Sequence, residues 1–393
     1  MKIAHLNSVY HFGSTGKIVE SLNLACLDNE IESLAFYGRK KSDYPNTYFF
    51  SYLLNFPIDL TLSFFKDNAG FNSKKVTKRL ISKLKEFKPD LIHIHNIHGY
   101  YLNLEMLINY LNEAEIKVVM TLHDCWSFTG FQVHFDYDQN DDFEKLAKGS
   151  YLTKEYPFRY KVKNNEKNYQ LKKELFTSIK DLVVVSPSKY LKSYVDKSFL
   201  NKYPSIVINN GIDLKKFSYN KNSTKTDKKI ILGVASIWDA NKNLKDFIKI
   251  VEKLPEDYQG LVVGLSKKQI SKLPKKIIGM TRTERVEDLV ELYNSAYLFL
   301  NPSLQENFPT VNIEALACGL PIVAYDSGGS AEIFEGCGYK VKKGDVNQAV
   351  DVIINNDFDS LSEKCQERAN RLYSKELMLK KYLQLYKTLV NKV

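Results

Sequence analysis

Glu306 and Glu314 stand eight positions apart in the run Glu306-Asn-Phe-Pro-Thr-Val-Asn-Ile-Glu314-Ala-Leu-Ala-Cys-Gly-Leu-Pro-Ile-Val-Ala, which has the pattern of a loop, a helix start and a buried strand. Pro309 suits the first helical position, where its missing N–H would be unpaired in any case. The amides of Thr310, Val311 and Asn312 would then point out of the helix start, where an anion can dock. One helix end could hold phosphate while two carboxylates, one in the entering loop and one in the second turn, grip hydroxyls on either side. A nucleotide sugar carries both kinds of group. Two plainer chemistries compete. Asn307 could cap a surface helix, with Glu306 solvated and Glu314 in an ordinary ion pair, because an isolated E-x7-E match is weak. The acids could also be a glycosidase pair. Eight helical steps separate backbones by roughly 12 Å, against carboxyl separations of about 5 to 9.5 Å in glycosidases, which weakens that option without removing it.

Other groups invite comparison with known chemistries. His93, His95 and His98 could suggest a metal, but His93 and His95 share one strand face, His98 lies past its end, and no carboxylate cluster is local to them in sequence, so zinc is disfavoured. Gly13-Ser-Thr-Gly16-Lys17 fails as a Walker loop, with His11 at the first glycine position and Ile18 where Ser or Thr belongs. Asp136-Tyr-Asp138 has the form of a metal-binding D-x-D, yet it lies in an acid-rich stretch with Asp141, Asp142 and Glu144 and lacks a strand-helix context.

The elements that must position these residues follow from the rest of the chain. At 393 residues, two domains are expected. With 44% apolar and 26% charged residues the composition is that of a globular protein, and disorder is not expected. Short apolar runs at Ile3 to Leu6, Leu91 to Ile94, Val118 to Leu122, Leu182 to Val185 and Ile206 to Ile208 alternate with helical patterns. The alternation resumes at Ile230 to Val234, Gly260 to Val263, Tyr297 to Leu300, Pro321 to Ala324 and Gly338 to Val341. This predicts an α/β fold of two doubly wound, parallel-sheet domains, which would face each other across a cleft. The expected division is 1–213, a polar linker 214–229, 230–372, and a helix over 373–393 returning to the first domain. The stretch from Phe131 to Asn168, rich in charge, Tyr and Asn, reads as an excursion over the cleft.

The five cysteines are scattered without C-x-x-C, as in a reduced cytosolic protein. The opening Met-Lys-Ile-Ala-His-Leu-Asn reads as a first strand and not as a signal peptide. The net charge of +10 is spread over both halves with no nucleic-acid motif, so no nucleic-acid partner is expected. Between Lys74 and Lys88, seven basic residues face one acid while Val76, Leu80, Ile81, Leu84 and Phe87 recur at helical spacing. This basic amphipathic helix follows an aromatic and apolar stretch, Tyr48 to Phe65, which Asn55, Pro57 and Asp59 interrupt, so a membrane span is not expected. Its lysines and apolar residues could instead dock on an anionic membrane surface.

The stretch from Leu292 through Ala324, with Ser327-Gly-Gly-Ser-Ala-Glu332, resembles the donor-site region of the GT-B glycosyltransferases of family 4. In the first half, Ile92-His-Ile-His-Asn-Ile-His-Gly-Tyr-Tyr-Leu-Asn103, Val119-Met-Thr-Leu-His-Asp-Cys-Trp126 and Val207-Ile-Asn-Asn-Gly-Ile-Asp213 resemble its branch acting on colanic acid and other bacterial surface polysaccharides. The resemblance covers nearly the whole chain. It implies that Glu314 hydrogen-bonds the donor ribose, Glu306 contacts the donor sugar near the reacting carbon, and Lys242 neutralises the leaving diphosphate. Asn307, Phe308, Thr310 and Val311 fall in the same donor site. An arginine frequent in the family six residues before the lysine is Ser236 here, and its usual Lys-Gly is Lys242-Asn243, so Arg282 is a further candidate for the diphosphate. His123 matches a catalytic-site histidine at the donor sugar, His95 and Asp124 fall at the cleft on the acceptor side, and Gly13 and Gly16 match a glycine-bearing loop near donor phosphate. Related proteins of this branch often carry cysteines in the region of the Phe131 to Asn168 excursion, whereas residues 127 to 317 hold none here.

The function implied is a retaining, metal-independent hexosyltransferase, moving sugar from a UDP- or GDP-type donor to an oligosaccharide or polyprenyl-diphosphate-linked acceptor of a surface glycan. No metal or other cofactor is expected, and the implied place is cytoplasmic, at the inner face of the membrane. A nucleotide-sugar epimerase on the same fold, or a catalytically silent membrane-associated scaffold, are the alternatives.

Overall fold

The computed structural model describes residues 1–52, 54–134, 142–149, 164–223 and 226–391. Asp136, Asp138 and Asp141 lie outside these residues. The chain divides into two compact units, Met1–Ile208 with Leu379–Val393, and Asn209–Met378.

The first unit holds β1 (Lys2–Asn7), β2 (Glu32–Tyr37), β3 (Thr47–Phe49), β4 (Leu91–Ile94), β5 (Lys117–Thr121), β6 (Leu182–Ser186) and β7 (Ser205–Val207). They form one sheet in the order β3-β2-β1-β4-β5-β6-β7, parallel throughout. The second unit holds β8 (Lys229–Val234), β9 (Tyr258–Val263), β10 (Ile277–Met280), β11 (Leu298–Asn301), β12 (Ile322–Tyr325) and β13 (Gly338–Val341). Their order is β10-β9-β8-β11-β12-β13, again parallel. The fold class expected from the alternating pattern is therefore present. Central strands such as Leu182–Ser186 are buried at every residue, which is why they read as continuous apolar runs: helices cover both faces. Each sheet reverses direction of growth once, at β1/β4 and at β8/β11, and such reversals open a crevice at the carboxyl ends of the strands.

Three expectations change. The polar stretch after Asp213 is packed on the second unit: Asn294 donates from Nδ2 to Ser218 O at 3.0 Å and accepts from Asn220 N at 2.7 Å. The basic helix is present as Lys74–Phe87, but Val76, Leu80 and Leu84 are buried in the core of the first unit, so its apolar stripe has no reach towards a membrane. The described ends of the 131–168 stretch also join the core, through Phe131, Leu146 and Ala147. The last helix, Lys375–Asn391, begins in the second unit and from Leu379 belongs to the first. There the hydroxyls of Tyr382 and Tyr386 meet Thr121 Oγ1 at 2.9 Å and His93 Nδ1 at 2.6 Å.

Candidate active site

In the second unit, β8 and β11 are hydrogen-bonded neighbours at the reversal, so the loops leaving them start side by side. Leu304 N donates to Asn241 O at 2.8 Å and Asn241 Nδ2 to Gln305 O at 2.9 Å, which ties the two loops together. A third loop, after β12, is attached by Gly329 N donating to Glu306 O at 2.9 Å. Within this frame Lys242 Nζ and Glu306 Oε1 form a direct ion pair, with side chains 28% and 11% exposed. The position after the lysine, Asn243, has φ 56°, in the left-handed region, and its side chain caps the Leu244–Lys253 helix by accepting from Asp246 N. Asparagine tolerates that conformation better than other side chains, which explains how Lys-Asn can stand where the family resemblance implies Lys-Gly.

The helix after the Glu306 loop is Thr310–Ala317, and Pro309 is its extended N-cap, one residue earlier than expected. Asn312 N donates to Pro309 O at 3.2 Å, so Thr310 and Val311, both half-buried, carry the amides left at the helix start. Glu314 Oε2 accepts from the Tyr293 hydroxyl at 3.0 Å. Tyr293 is fully buried, and burial, reinforced by Glu314, pushes its hydroxyl well above the ordinary range, so it stays protonated and donates. The Phe308 ring is 5% exposed and packs edge-on against Tyr373. Asn307 is buried and is not the helix cap. Ser236 and Arg282 are exposed, in the loops after β8 and β10.

Sequence reasoning missed the scaffold beneath these residues. Asn301 Nδ2 donates to Asn312 Oδ1 at 2.9 Å, Asn312 Nδ2 donates to Ser330 Oγ at 2.9 Å, and Ser303 Oγ donates to Asn301 Oδ1 at 2.6 Å. All four are buried. A buried polar chain of this kind fixes geometry because each unmade bond costs a full desolvation; it pins the end of β11, the helix start and the β12 loop to one another. The signal was a row of polar residues in an otherwise apolar strand-to-helix segment. Gly264 was missed as well: at φ +102° its Cβ would fall 1.7 Å from Ala235 O. Only glycine lets the β9 loop press against the loop that carries Ser236.

In the first unit the expected residues also lie at strand carboxyl ends. Gly13 and Gly16 sit in the first turn of the Gly13–Asp28 helix, not in a loop before it. Gly13 has φ +67° with open space beside it, whereas a Cβ on Gly16 would come within 3.2 Å of the His11 backbone. His95 Nδ1 and His123 Nε2 lie 3.1 Å apart with their rings stacked. Burial lowers His123 to about 4, with His98 adding and Asp124 opposing. His95 is held well below its ordinary value by burial and then by its histidine neighbours. Asp124 accepts from Trp126 N at 2.9 Å and meets His98 Nε2 at 2.6 Å. Burial would raise that carboxyl, but His98 and the Trp126 amide together leave it lowered. The carboxylate absent from the sequence neighbourhood of the histidines is thus supplied in space. A buried lysine, Lys172, was not foreseen; its Nζ donates to Trp126 O at 2.7 Å and lies 3.8 Å from the Trp126 ring centre.

The register pairs His5 with His93 across β1 and β4, and His5, His93 and His95 bring one ligand atom each within 4.8 Å of the others. His93 already uses both ring nitrogens, on Tyr386 and on Thr121 Oγ1 at 2.7 Å. His5 Nδ1 and His95 Nε2 are the buried nitrogens left without a partner. Two ligands fall short of the three or four that a zinc site uses.

Two family models match the chain side by side: Glycosyltransferase Family 4 over residues 55–216 and Glycosyl transferases group 1 over residues 228–355. The chain belongs to glycosyltransferase family 4. It is 27% identical over 285 residues to a Thermosipho melanesiensis protein described as a sucrose-phosphate synthase, a match covering 67% of the chain and 64% of that protein. It is 23% identical over 317 residues to the Escherichia coli colanic acid biosynthesis glycosyl transferase WcaC, covering 77% of each. It is 26% identical over 204 residues to the Campylobacter jejuni N,N'-diacetylbacillosaminyl-diphospho-undecaprenol alpha-1,3-N-acetylgalactosaminyltransferase, covering 47% of the chain and 54% of that protein. The fold is shared with Anabaena HepE, solved in complex with UDP and glucose, at a TM-score of 0.68 and 15% identity over 99% of the chain and 100% of HepE. The glycosyltransferase fold is thus established over both units, and the Lys242–Glu306 pair stands on the loops at the β8/β11 reversal of the second unit.

Proposed function

We propose that this glycosyltransferase transfers a sugar, with retention, from a UDP- or GDP-type donor to a lipid-linked acceptor of a bacterial surface glycan. The observation that carries the donor half is the Lys242–Glu306 pair beside the Thr310–Ala317 helix start. In the free protein each charge neutralises the other. A bound diphosphate would take over Lys242 and the Thr310 and Val311 amides, releasing Glu306 to the sugar hydroxyls, while Glu314, oriented by Tyr293, receives the ribose. Fixed positive charge at the leaving oxygen lowers the barrier because charge develops there in the transition state. The acceptor hydroxyl attacks the anomeric carbon as the bond to diphosphate breaks, and its proton passes to the departing diphosphate. His123, His95 and Asp124 serve as hydrogen-bonding groups for sugar hydroxyls, a role that suits imidazoles held neutral by burial. The names of the Campylobacter and Escherichia relatives support a diphospho-undecaprenol or polysaccharide acceptor, and the HepE complexes support a UDP donor.

A panel of nucleotide sugars tested for protection against thermal unfolding identifies the donor, since specific binding stabilises the native state. NMR of the product then reads the anomeric outcome; inversion overturns retention. Activity is expected to survive EDTA, with Lys242 and the helix amides serving in place of a cation. Loss in EDTA with recovery on manganese would transfer that role to a metal.

A further inference from the structure

Among the described residues, the half-buried arginines are Arg39, Arg79 and Arg368. Arg368 donates to Ile333 O at 2.7 Å and to Glu332 O at 2.8 Å, and Arg79 donates to the Tyr48 hydroxyl at 3.0 Å. Those bonds account for where the two side chains lie. Arg39, in contrast, makes no hydrogen bond or ion pair with any described residue, and what holds it is the ring of Phe56, whose centre is 4.1 Å from the guanidinium carbon. A guanidinium carries five N–H donors in a fixed fork. Stacking on a ring face uses its charge and its flat side and leaves those donors unspent.

The backbone around Arg39 is shaped to seat it. Arg39 follows the carboxyl end of β2, which lies beside β1 in the parallel sheet, with β4 next. Gly38 N donates to Ser8 O at 3.3 Å, and a Cβ on Gly38 would overlap the Tyr101 ring, so the loop after β2 closes on its neighbours only with glycine there. At Gly99, φ is +116° and a Cβ would come within 3.3 Å of Arg39 Nη1. The guanidinium is thus set against both a ring and a glycine. Lys40, next in the chain, takes φ 54°, which a residue other than glycine rarely adopts, and its Nζ lies 5.0 Å from the centre of the Phe12 ring. Two consecutive cations are held on rings and not on acids; Asp43, close by in sequence, is exposed and pairs with neither.

We propose that Arg39 is the receptor for an anionic group on the acceptor, a phosphate or a sugar carboxylate, gripped at two points by the guanidinium with Lys40 adding charge. Two-point recognition of a planar or tetrahedral oxyanion is what the guanidinium fork suits best. A neutral sugar hydroxyl brings no charge and leaves both cations unneutralised, whereas an oxyanion answers the charge and the fork together. Position selects the acceptor over the donor. The donor diphosphate already has Lys242 in the second unit, while Arg39 belongs to the first, where Gly99 follows directly on His98 and His98 meets Asp124. An acidic acceptor with hydroxyls at Asp124 therefore extends its anion past Gly99 towards Arg39. This inference rests on the proposed function only in calling the ligand an acceptor.

Calorimetric titration of the whole chain tests it, in a Lys242→Ala background that removes the donor-side cation, with pyrophosphate, glucuronate and neutral glucose as the probes. One of the two anions is expected to bind and glucose is not. Adding Arg39→Gln is expected to weaken that binding at least about tenfold and to leave the melting temperature where it was, since no bond to a described residue is lost. Arg39→Lys keeps the charge without the fork and is expected to recover only part of the affinity. Preference for pyrophosphate assigns the anion to a diphosphate-linked acceptor, and preference for glucuronate assigns it to an acidic sugar. A Lys242→Ala chain that binds neither anion, or binding that Arg39→Gln leaves unmoved, overturns the proposal. With Lys242 intact, Arg39→Gln is expected to raise the acceptor KM roughly tenfold with kcat and the donor KM little changed. Transfer with an acceptor KM indifferent to Arg39 overturns the receptor alone, and anion binding at Arg39 in a chain that transfers no sugar overturns the proposed function alone.

Discussion

The two sheets reverse in the same way and offer their strand ends to very different chemistry. At the β8/β11 reversal the groups are charged and partly exposed, with Lys242 and Glu306 in contact and two helix amides beside them. Near the β1/β4 reversal they are imidazoles held neutral, His95 and His123 in a row with buried His93 and His5. On the proposed function, one topology makes a place for a dianion and a place for neutral hydroxyls. Burial sets the histidine side apart, because desolvation penalises a lone imidazolium.

The largest expected effect probes the charged side. Glu306→Gln is expected to cut turnover at least about a hundredfold, roughly 2.7 kcal/mol of transition-state stabilisation. Because Glu306 is also the partner of Lys242, the same change leaves the lysine unopposed, and affinity for the free nucleoside diphosphate is expected to hold or tighten. Lys242→Ala is expected to weaken that affinity as well as the rate. Calorimetric titration of the diphosphate into both variants reads the contrast; a weakened Glu306→Gln complex would mean that the two charges do not exchange partners on binding.

Much of this was legible in the sequence where one residue type had one physical reason to be there. Continuous apolar runs gave the central strands, Glu306 and Glu314 stood out as acids around a helix start before such a run, and Lys242 came from the family resemblance alone. Two of the four edge strands were missed because their patterns are weak, Thr47–Phe49 having three residues and Ile277–Met280 a glycine, and the inner strand Glu32–Tyr37 was missed as well. Side-chain partners were not legible either. Asp124 and His98 are 26 positions apart in sequence yet 2.6 Å apart in space, and Tyr293 finds Glu314 only because two helices converge. The outward-facing apolar side of the Asn55–Lys66 helix was not foreseen, because periodicity identifies a face without saying whether it points inward. Its neighbour, Lys74–Phe87, shows the same period and buries its stripe.

The neutral side is tested by pH. His5 is fully buried, and burial holds its pKa at about 3 against an ordinary 6.5. Below pH 6.5 the unfolded chain binds a proton at this residue that the folded chain cannot accept, so stability rises with pH between about 3 and 6.5 and the contribution is fully present above that window. At pH 5 the loss from this one residue is about 2 kcal/mol. Urea unfolding of the parent and of His5→Met at pH 7 and pH 5 is expected to show the parent falling further by about that amount. Equal losses would mean that His5 takes up its proton without unfolding, and that this row of histidines is not kept neutral.

The smallest effect lies within the charged region and asks how far its geometry depends on buried support. The Tyr293 hydroxyl is held protonated by burial and by the carboxylate it faces, so it can act towards Glu314 only as a donor. Removing it by Tyr293→Phe keeps the ring and its packing against Phe299 and Phe217. A single hydrogen bond to a charged group is worth about 1.5 to 3 kcal/mol when both partners are buried, but Glu314 is half-buried and water can replace part of it. The expected result is about 1 kcal/mol in donor binding, a KM for nucleotide sugar raised roughly fivefold with kcat little changed. That split is diagnostic. Glu314 is proposed to hold the ribose equally in ground and transition states, so a loosened carboxylate weakens uniform binding. A fall in kcat at constant KM would instead place Tyr293 and Glu314 in the chemical step, and the division of labour between Glu306 and Glu314 would have to be redrawn.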